Sequence, residues 1–93
     1  MIAIRKRAGE RAEFIEIENK WKAIRELIAC GKFSKAKNGC TEVVFDRYMV
    51  KKGLQYNGFF CGKDIYGECL IFRVDENGNW IDADVEVLWD LIM

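Results

Sequence analysis

The chain has 93 residues, carries 15 basic and 15 acidic side chains, and contains neither histidine nor proline. No apolar run approaches the roughly 20 residues that a membrane helix requires, and no apolar segment typical of a signal peptide opens the chain. We therefore expect one cytoplasmic domain spanning residues 1–93, without a membrane segment. The missing imidazole argues against the commonest form of acid–base catalysis near neutral pH.

The first third of the chain predicts a β-hairpin followed by a helix. Residues 1–6 and residues 12–18 are each typical of a strand, the second because charged and β-branched residues alternate in it. Asn19 is placed to cap an amphipathic helix that Gly31 would end, and Trp21 falls on its apolar stripe.

The middle of the chain is predicted to be its least regular part. Residues 31–40 look like a basic loop, and residues 41–50 like one strand or two short ones. Residues 51–63 combine three glycines with several aromatic residues, so we expect a loop there that either folds onto the core or presents an adhesive surface.

The last third repeats the order of the first. Residues 68–74 predict the strongest strand of the chain, with Leu70, Phe72 and Val74 on one face and Cys69, Ile71 and Arg73 on the other. Residues 75–78 predict a hairpin turn, and residues 79–83 predict a short return strand. Asp82 or Asp84 would then cap a final helix. The order ββα, irregular middle, ββα predicts an α+β fold: a small domain whose antiparallel sheet of about four to six strands carries two helices on one face.

The neutral total charge conceals an asymmetry along the chain. Residues 1–40 hold ten basic and five acidic residues, whereas residues 41–93 hold five basic and ten acidic ones, so the two parts carry +5 and −5. A mixed solvated surface and a charged pole that steers a partner both remain open at this point.

The four cysteines, at positions 30, 40, 61 and 69, lack the close spacing that usually nucleates a zinc site. In a cytoplasmic protein we expect them to be free thiols, so the sequence predicts no metal site and no cofactor. Carboxylate pairs such as Glu16 with Glu18 keep a two-carboxylate site open, but each occupies a place where acidic residues are ordinary. We therefore expect a protein that is not an enzyme.

Protein binding fits the composition best. Aromatic residues in a glycine-rich segment are typical of binding hot spots, and exposed acidic residues near the C-terminus offer an alternative surface that imitates phosphates. The candidate partner-binding residues are Tyr56, Asn57, Phe59 and Phe60, with Glu86 and Asp90 on the alternative surface. The competing interpretation is that Phe59 and Phe60 fill the core.

A second hypothesis is anion binding by the basic segment. Lys32, Lys35 and Lys37 could hold a nucleotide or nucleic-acid phosphate, with Phe33 between them as a stacking platform. The pI of about 6.3 weighs against a dedicated nucleic-acid binder. Pairing of exposed edge strands into a homodimer is a further open alternative.

Several short motifs resemble a family of small phage and mobile-element proteins, domain of unknown function 3846. They are Ile15-Glu16-Ile17-Glu18-Asn19, Lys52-Gly53-Leu54-Gln55-Tyr56-Asn57, Asp64-Ile65-Tyr66-Gly67, and the stretch from Leu70 to Gly78. Gln55 departs from the proline usual in that family, and residues 31–40 do not follow its pattern. The resemblance implies a protein that binds and inhibits a host defence effector, of anti-CRISPR or antirestriction type, with a CRISPR effector among the candidate partners.

Overall fold

A computed structural model describes residues 1–28 and 31–87 of the chain. Within these residues lie helix α1 (Trp21–Ile28) and a second helical segment at residues 85–87. The strands are β1 (Ile2–Lys6), β2 (Glu13–Glu16), β3 (Phe33–Asn38), β4 (Thr41–Asp46), β5 (Tyr56–Phe60), β6 (Lys63–Tyr66), β7 (Cys69–Val74) and β8 (Trp80–Ile81). The predicted α+β class is confirmed at this level: an antiparallel fold, mostly strand, with minor helices.

Six strands form the main sheet, in the order β2-β1-β7-β4-β3, with β8 paired to the far end of β7. Every pairing in it is antiparallel. Ile71 lies opposite Ile4 of β1 and opposite Val43 of β4, so β7 is the central strand. β2 and β3 are the two edges.

The core consists of two clusters, one on each face of the main sheet. Residues of β7 contribute to both, as the two faces predicted for residues 68–74 imply. Leu70 and Phe72 point to the face covered by α1, which we call the helix side. Cys69 and Ile71 point to the opposite face, which we call the hairpin side. All four are fully buried, and so both faces of β7 are covered.

Helix α1 covers the helix side. Ile24 is fully buried there and packs with Ala3, Val44 and Leu70. The Ile24 N–H donates to the Lys20 carbonyl at 3.3 Å, which makes Lys20 rather than Asn19 the residue at the N-cap position.

The hairpin side is covered by a segment that the sequence analysis predicted as a loop. Residues 51–63 contain β5 and the start of β6, which pair as a separate two-stranded sheet. A bulge between Tyr56 and Gly58 interrupts the alternation and hides the strand in the sequence. Phe60 and Ile65 from this hairpin enter the core.

The prediction of a basic loop at residues 31–40 was also wrong, because β3 runs from Phe33 to Asn38. As an edge strand it leaves most side chains partly or fully exposed, so its sequence lacks a clear apolar period. Residues 41–50 form one strand that ends at Asp46, and Asp46 then accepts the Tyr48 N–H at 2.9 Å to start a turn.

The predicted cap of the final helix is Asp84, whose carboxylate accepts the Val87 N–H at 3.2 Å. Asp82 instead accepts the Ile2 N–H at 2.7 Å. Val87 packs into the hairpin-side cluster, so the second helix begins on the face opposite α1, and the two helices do not share a face. Cys30 and Asp90 lie outside the described residues. No helix in the described part of the chain has the length and apolar character of a membrane span.

Candidate functional site

Two hairpin turns and the start of the second helix enclose a cleft of about 480 Å³. The β3–β4 turn contributes Asn38 to Cys40, the β5–β6 end contributes Phe59 to Cys61, and the helix contributes Glu86 and Val87. Thr41 and Arg73 complete its lining. We call this feature the end cleft.

Tight turns fix two walls of the end cleft. In the β5–β6 turn both central residues, Cys61 (φ 52°) and Gly62 (φ 77°), have positive φ, as a two-residue type I′ turn requires. A non-glycine residue with positive φ is uncommon. The Cys61 thiol donates to the Thr41 carbonyl at 3.6 Å, which ties this turn to the main sheet.

The two adjacent phenylalanines have different roles because neighbouring strand residues point to opposite faces. Phe60 is buried in the hairpin-side core, with its ring against Gly58, where an added Cβ would lie 2.7 Å from the Phe60 Cζ. Phe59 is 64% exposed. The core interpretation therefore holds for Phe60, and Phe59 is the candidate contact residue of the pair.

Tyr56 and Asn57 separate in the same way. Tyr56 is exposed; its hydroxyl donates to Asp64 at 3.0 Å, and its ring meets Tyr66 edge-on at 5.3 Å. The hydrogen bond to the Asp64 carboxylate raises the pKa of Tyr56, because the neutral phenol is the donor.

Asn57 turns inward and holds the hairpin to the main sheet. Its amide donates to the carbonyls of Lys6 at 2.9 Å and Gly67 at 2.8 Å, and lies 3.7 Å from the Cys69 sulfur. Its oxygen accepts from the Lys6 ammonium at 2.9 Å. Asn57 is partly buried and its amide is held by these bonds, so less of this residue than of Tyr56 or Phe59 is left for a partner to touch.

The acidic surface and the aromatic one meet at the end cleft, although the sequence analysis treated them as separate. The Glu86 side chain is 84% exposed and lies 3.9 Å from the Arg73 guanidinium. Arg73 also pairs with Asp84, so its single charge faces two carboxylates. The end cleft therefore brings an exposed carboxylate and an exposed phenylalanine to one site. Asp90, the other predicted acidic residue, lies outside the described residues.

The three lysines of the anion-binding hypothesis do not form one cluster on β3. Lys35 and Lys37 project from the same face of the strand, two residues apart. Lys32 precedes the strand, and its carbonyl accepts the Arg47 N–H at 3.0 Å. Phe33 is not an open stacking platform, because it packs against Trp21.

The buried Cys69 thiol is unsuited to act as a nucleophile. Burial raises the pKa of Cys69 to about 12, so this thiol is neutral at physiological pH. Cys40 is exposed, and Cys61 is partly buried. No cluster of three or more His, Cys, Asp or Glu residues that could hold a metal occurs in the described part of the chain.

Comparison of the chain with protein-family models, curated proteins and solved structures gives no match in any of the three. The fold and the end cleft define the class of protein only coarsely: a small, strand-rich α+β domain with an exposed aromatic residue and an exposed carboxylate at one cleft.

Two features of the structure, one at the end cleft and one on the helix side, could not be predicted from the sequence. Arg73 and the β5–β6 turn that contains Cys61 reach the end cleft because of how the strands pair. Strand pairing between distant segments leaves no local pattern in the sequence. Trp80 and Trp21, assigned to a strand and a helix stripe, meet in space at the edge of the helix side.

Proposed function

We propose that this protein is a non-enzymatic binding protein that holds a partner protein at the end cleft. The exposure of Phe59 carries the proposal. A phenylalanine side chain that leaves 64% of its area in water, on a hairpin tied down by a type I′ turn, is a preformed apolar anchor. Aromatic anchors beside a recess are the residues on which binding energy concentrates.

The charge around Phe59 indicates the chemistry of the partner. Asp64 lies opposite Phe59 in the β5–β6 pairing. Glu86 lines the end cleft, where Arg73 pairs with both Glu86 and Asp84. A complementary partner would present an apolar pocket flanked by lysine or arginine side chains, because opposite charges steer association and select the correct partner.

The narrower proposal is that the partner is a host defence effector and that binding inhibits it. Its support is the resemblance to the phage and mobile-element family, together with the exposed Glu86 carboxylate at the end cleft. An effector that cuts nucleic acid must hold phosphates with lysine and arginine side chains. Acidic side chains that occupy that groove would compete with the nucleic acid for it.

Affinity capture followed by an inhibition assay tests the proposal. Tagged wild-type protein is used to capture host proteins, and each retained DNA-cleaving effector is then purified and assayed for cleavage with the added protein. We expect the Phe59→Ala variant to lose capture and inhibition, and Glu86→Lys to weaken both. Phe14→Ala is the matched control, because Phe14 is also exposed (45%) but lies on edge strand β2.

Two results would contradict the proposal. One is retention of the same effector by Phe59→Ala with unchanged affinity. The other is turnover of a substrate by the purified protein alone, which would show that the molecule acts as an enzyme rather than through contact.

A further inference from the structure

Four aromatic rings form a continuous cluster at the edge of the helix side, on the face of the main sheet opposite the hairpin. Trp80 lies flat on buried Phe72, with ring centroids 4.4 Å apart. Trp21 meets Trp80 edge-on at 5.2 Å and is itself stacked on Phe33 at 5.4 Å. Trp21 is held from two sides and yet remains 45% exposed, so its ring is a supported platform.

A recess of about 260 Å³ opens beside this platform. Lys20 and Lys35 line it together with the side chains of Asn19 and Asn79. Neither asparagine side chain hydrogen-bonds to another residue in the described part of the chain, so both amides are available to an incoming polar group. The recess is smaller than the pockets of about 300–1,000 Å³ that enclose drug-sized ligands.

The lysines at the recess form only long or exposed ion pairs with protein carboxylates. The Lys35 ammonium lies 4.0 Å from Glu42 and 5.8 and 6.0 Å from the Trp21 and Trp80 ring centroids, and its side chain is half exposed. Glu42 already accepts the Trp80 indole N–H at 2.6 Å. Lys20 pairs with Glu18 at 3.2 Å, but both are more than 70% exposed, where ion pairs contribute little.

The lysines continue from the recess along the edge strand, with Glu42 of β4 opposite Lys37. Lys37 projects from the same face of β3 as Lys35, about 7 Å further along the strand. An exposed aromatic face flanked by lysines is the combination that proteins use for single-stranded nucleic acids, in which bases stack and phosphates pair with ammonium groups.

We infer that this face binds a single strand of nucleic acid: one base stacks on Trp21, and the neighbouring phosphates contact Lys20, Lys35 and Lys37. A duplex would not serve, because its bases are stacked on one another and do not offer a free face. The site lies on the opposite face of the main sheet from the hairpin that carries Phe59. A test of this site is therefore independent of a test of the end cleft.

Fluorescence anisotropy with a labelled oligothymidine strand at about 50 mM salt tests this inference. We expect Trp21→Ala to weaken binding about tenfold or more, the loss typical of one stacked base, and Trp21→Phe to retain most of the affinity. The double variant K35E/K37E should reduce binding at least as strongly. Three phosphate contacts predict that log K falls with log salt at a slope of about −2.

Quenching of tryptophan emission supplies a second readout. Stacking of a base on Trp21 should quench part of the wild-type emission, and that part should be missing in Trp21→Phe. The matched controls are Phe14→Ala, which removes a ring with the same 45% exposure, and Lys51→Glu, which reverses an exposed charge in a different loop.

Three results would overturn the inference. They are absence of binding by the wild-type protein at low salt, equal weakening by Trp21→Ala and Phe14→Ala, and binding of thymidine monophosphate or of a duplex as tight as that of the single strand. Should Trp21→Ala fail to fold by circular dichroism, Trp21→Phe and K35E/K37E decide the question alone.

Discussion

Replacement of Asn57 by alanine tests whether this residue stabilises the fold or contacts a partner. The sequence suggested Asn57 as a partner-binding residue, whereas the structure makes it the main polar link between the β5–β6 hairpin and the main sheet. We expect Asn57→Ala to lower the free energy of unfolding, and any loss of partner binding to follow from that loss of stability.

The magnitude follows from the bonds that are lost. Alanine removes the donors to the Lys6 and Gly67 carbonyls and the acceptor for the Lys6 ammonium. At a net value of about 1 kcal/mol for each bond, the cost is about 3 kcal/mol. In a domain of this size, each kcal/mol lowers the melting temperature by about 4–8 °C, so the decrease should be about 12–24 °C.

Urea denaturation followed by circular dichroism measures this effect. Asn57→Asp is the informative companion, because it keeps the shape but turns a carboxylate toward two carbonyls, and it should destabilise at least as much as alanine. Phe59→Ala should cost about 1 kcal/mol or less, since the ring is mostly in water. A cost below about 0.5 kcal/mol for Asn57→Ala would refute the role given to this residue.

Three further changes test the packing, the helix cap and the buried thiol. Gly58→Ala should destabilise by about 1–3 kcal/mol in urea denaturation, because the new Cβ would clash with the buried Phe60 ring; an unchanged midpoint would contradict that packing. Asp84→Ala should cost about 1 kcal/mol through loss of the Val87 N–H acceptor, with Asp84→Asn restoring most of it. The raised pKa of Cys69 means that the unfolded chain loses its thiol proton first, so stability should fall as pH rises from about 9 toward 12, less steeply in Cys69→Ala; identical slopes would contradict the assignment.

The parts of the fold that could be predicted are those where local chemistry and tertiary environment agree. β7 contains an unbroken apolar run, Cys69 to Phe72, because both of its faces are covered. α1 shows a helical apolar stripe because one face packs on the sheet. β3 escaped prediction because an edge strand needs no apolar period, and its lysines are typical of loops as well. β5 escaped because the bulge at Asn57 shifts the alternation by one residue.

The candidate site could be predicted only in part, because contacts between distant segments depend on topology. The aromatic composition of residues 56–60 predicts a contact surface, and Tyr56 and Phe59 are exposed. Composition alone does not distinguish these two residues from buried Phe60. Once residues 56–60 are recognised as a strand, the opposite orientations of Phe59 and Phe60 follow from the period of two. The meeting of Phe59 with Glu86 depends on where the second helix begins, and that is a property of the folded chain.

Photo-crosslinking from position 59 in host cells tests the central proposal most directly. A photoreactive phenylalanine analogue replaces Phe59 in one variant and Phe14 in another, and the adducts are compared after irradiation. The account predicts a discrete adduct with one host protein from position 59 and none from position 14. Absence of any adduct at position 59, or the same adducts from both positions, would contradict it.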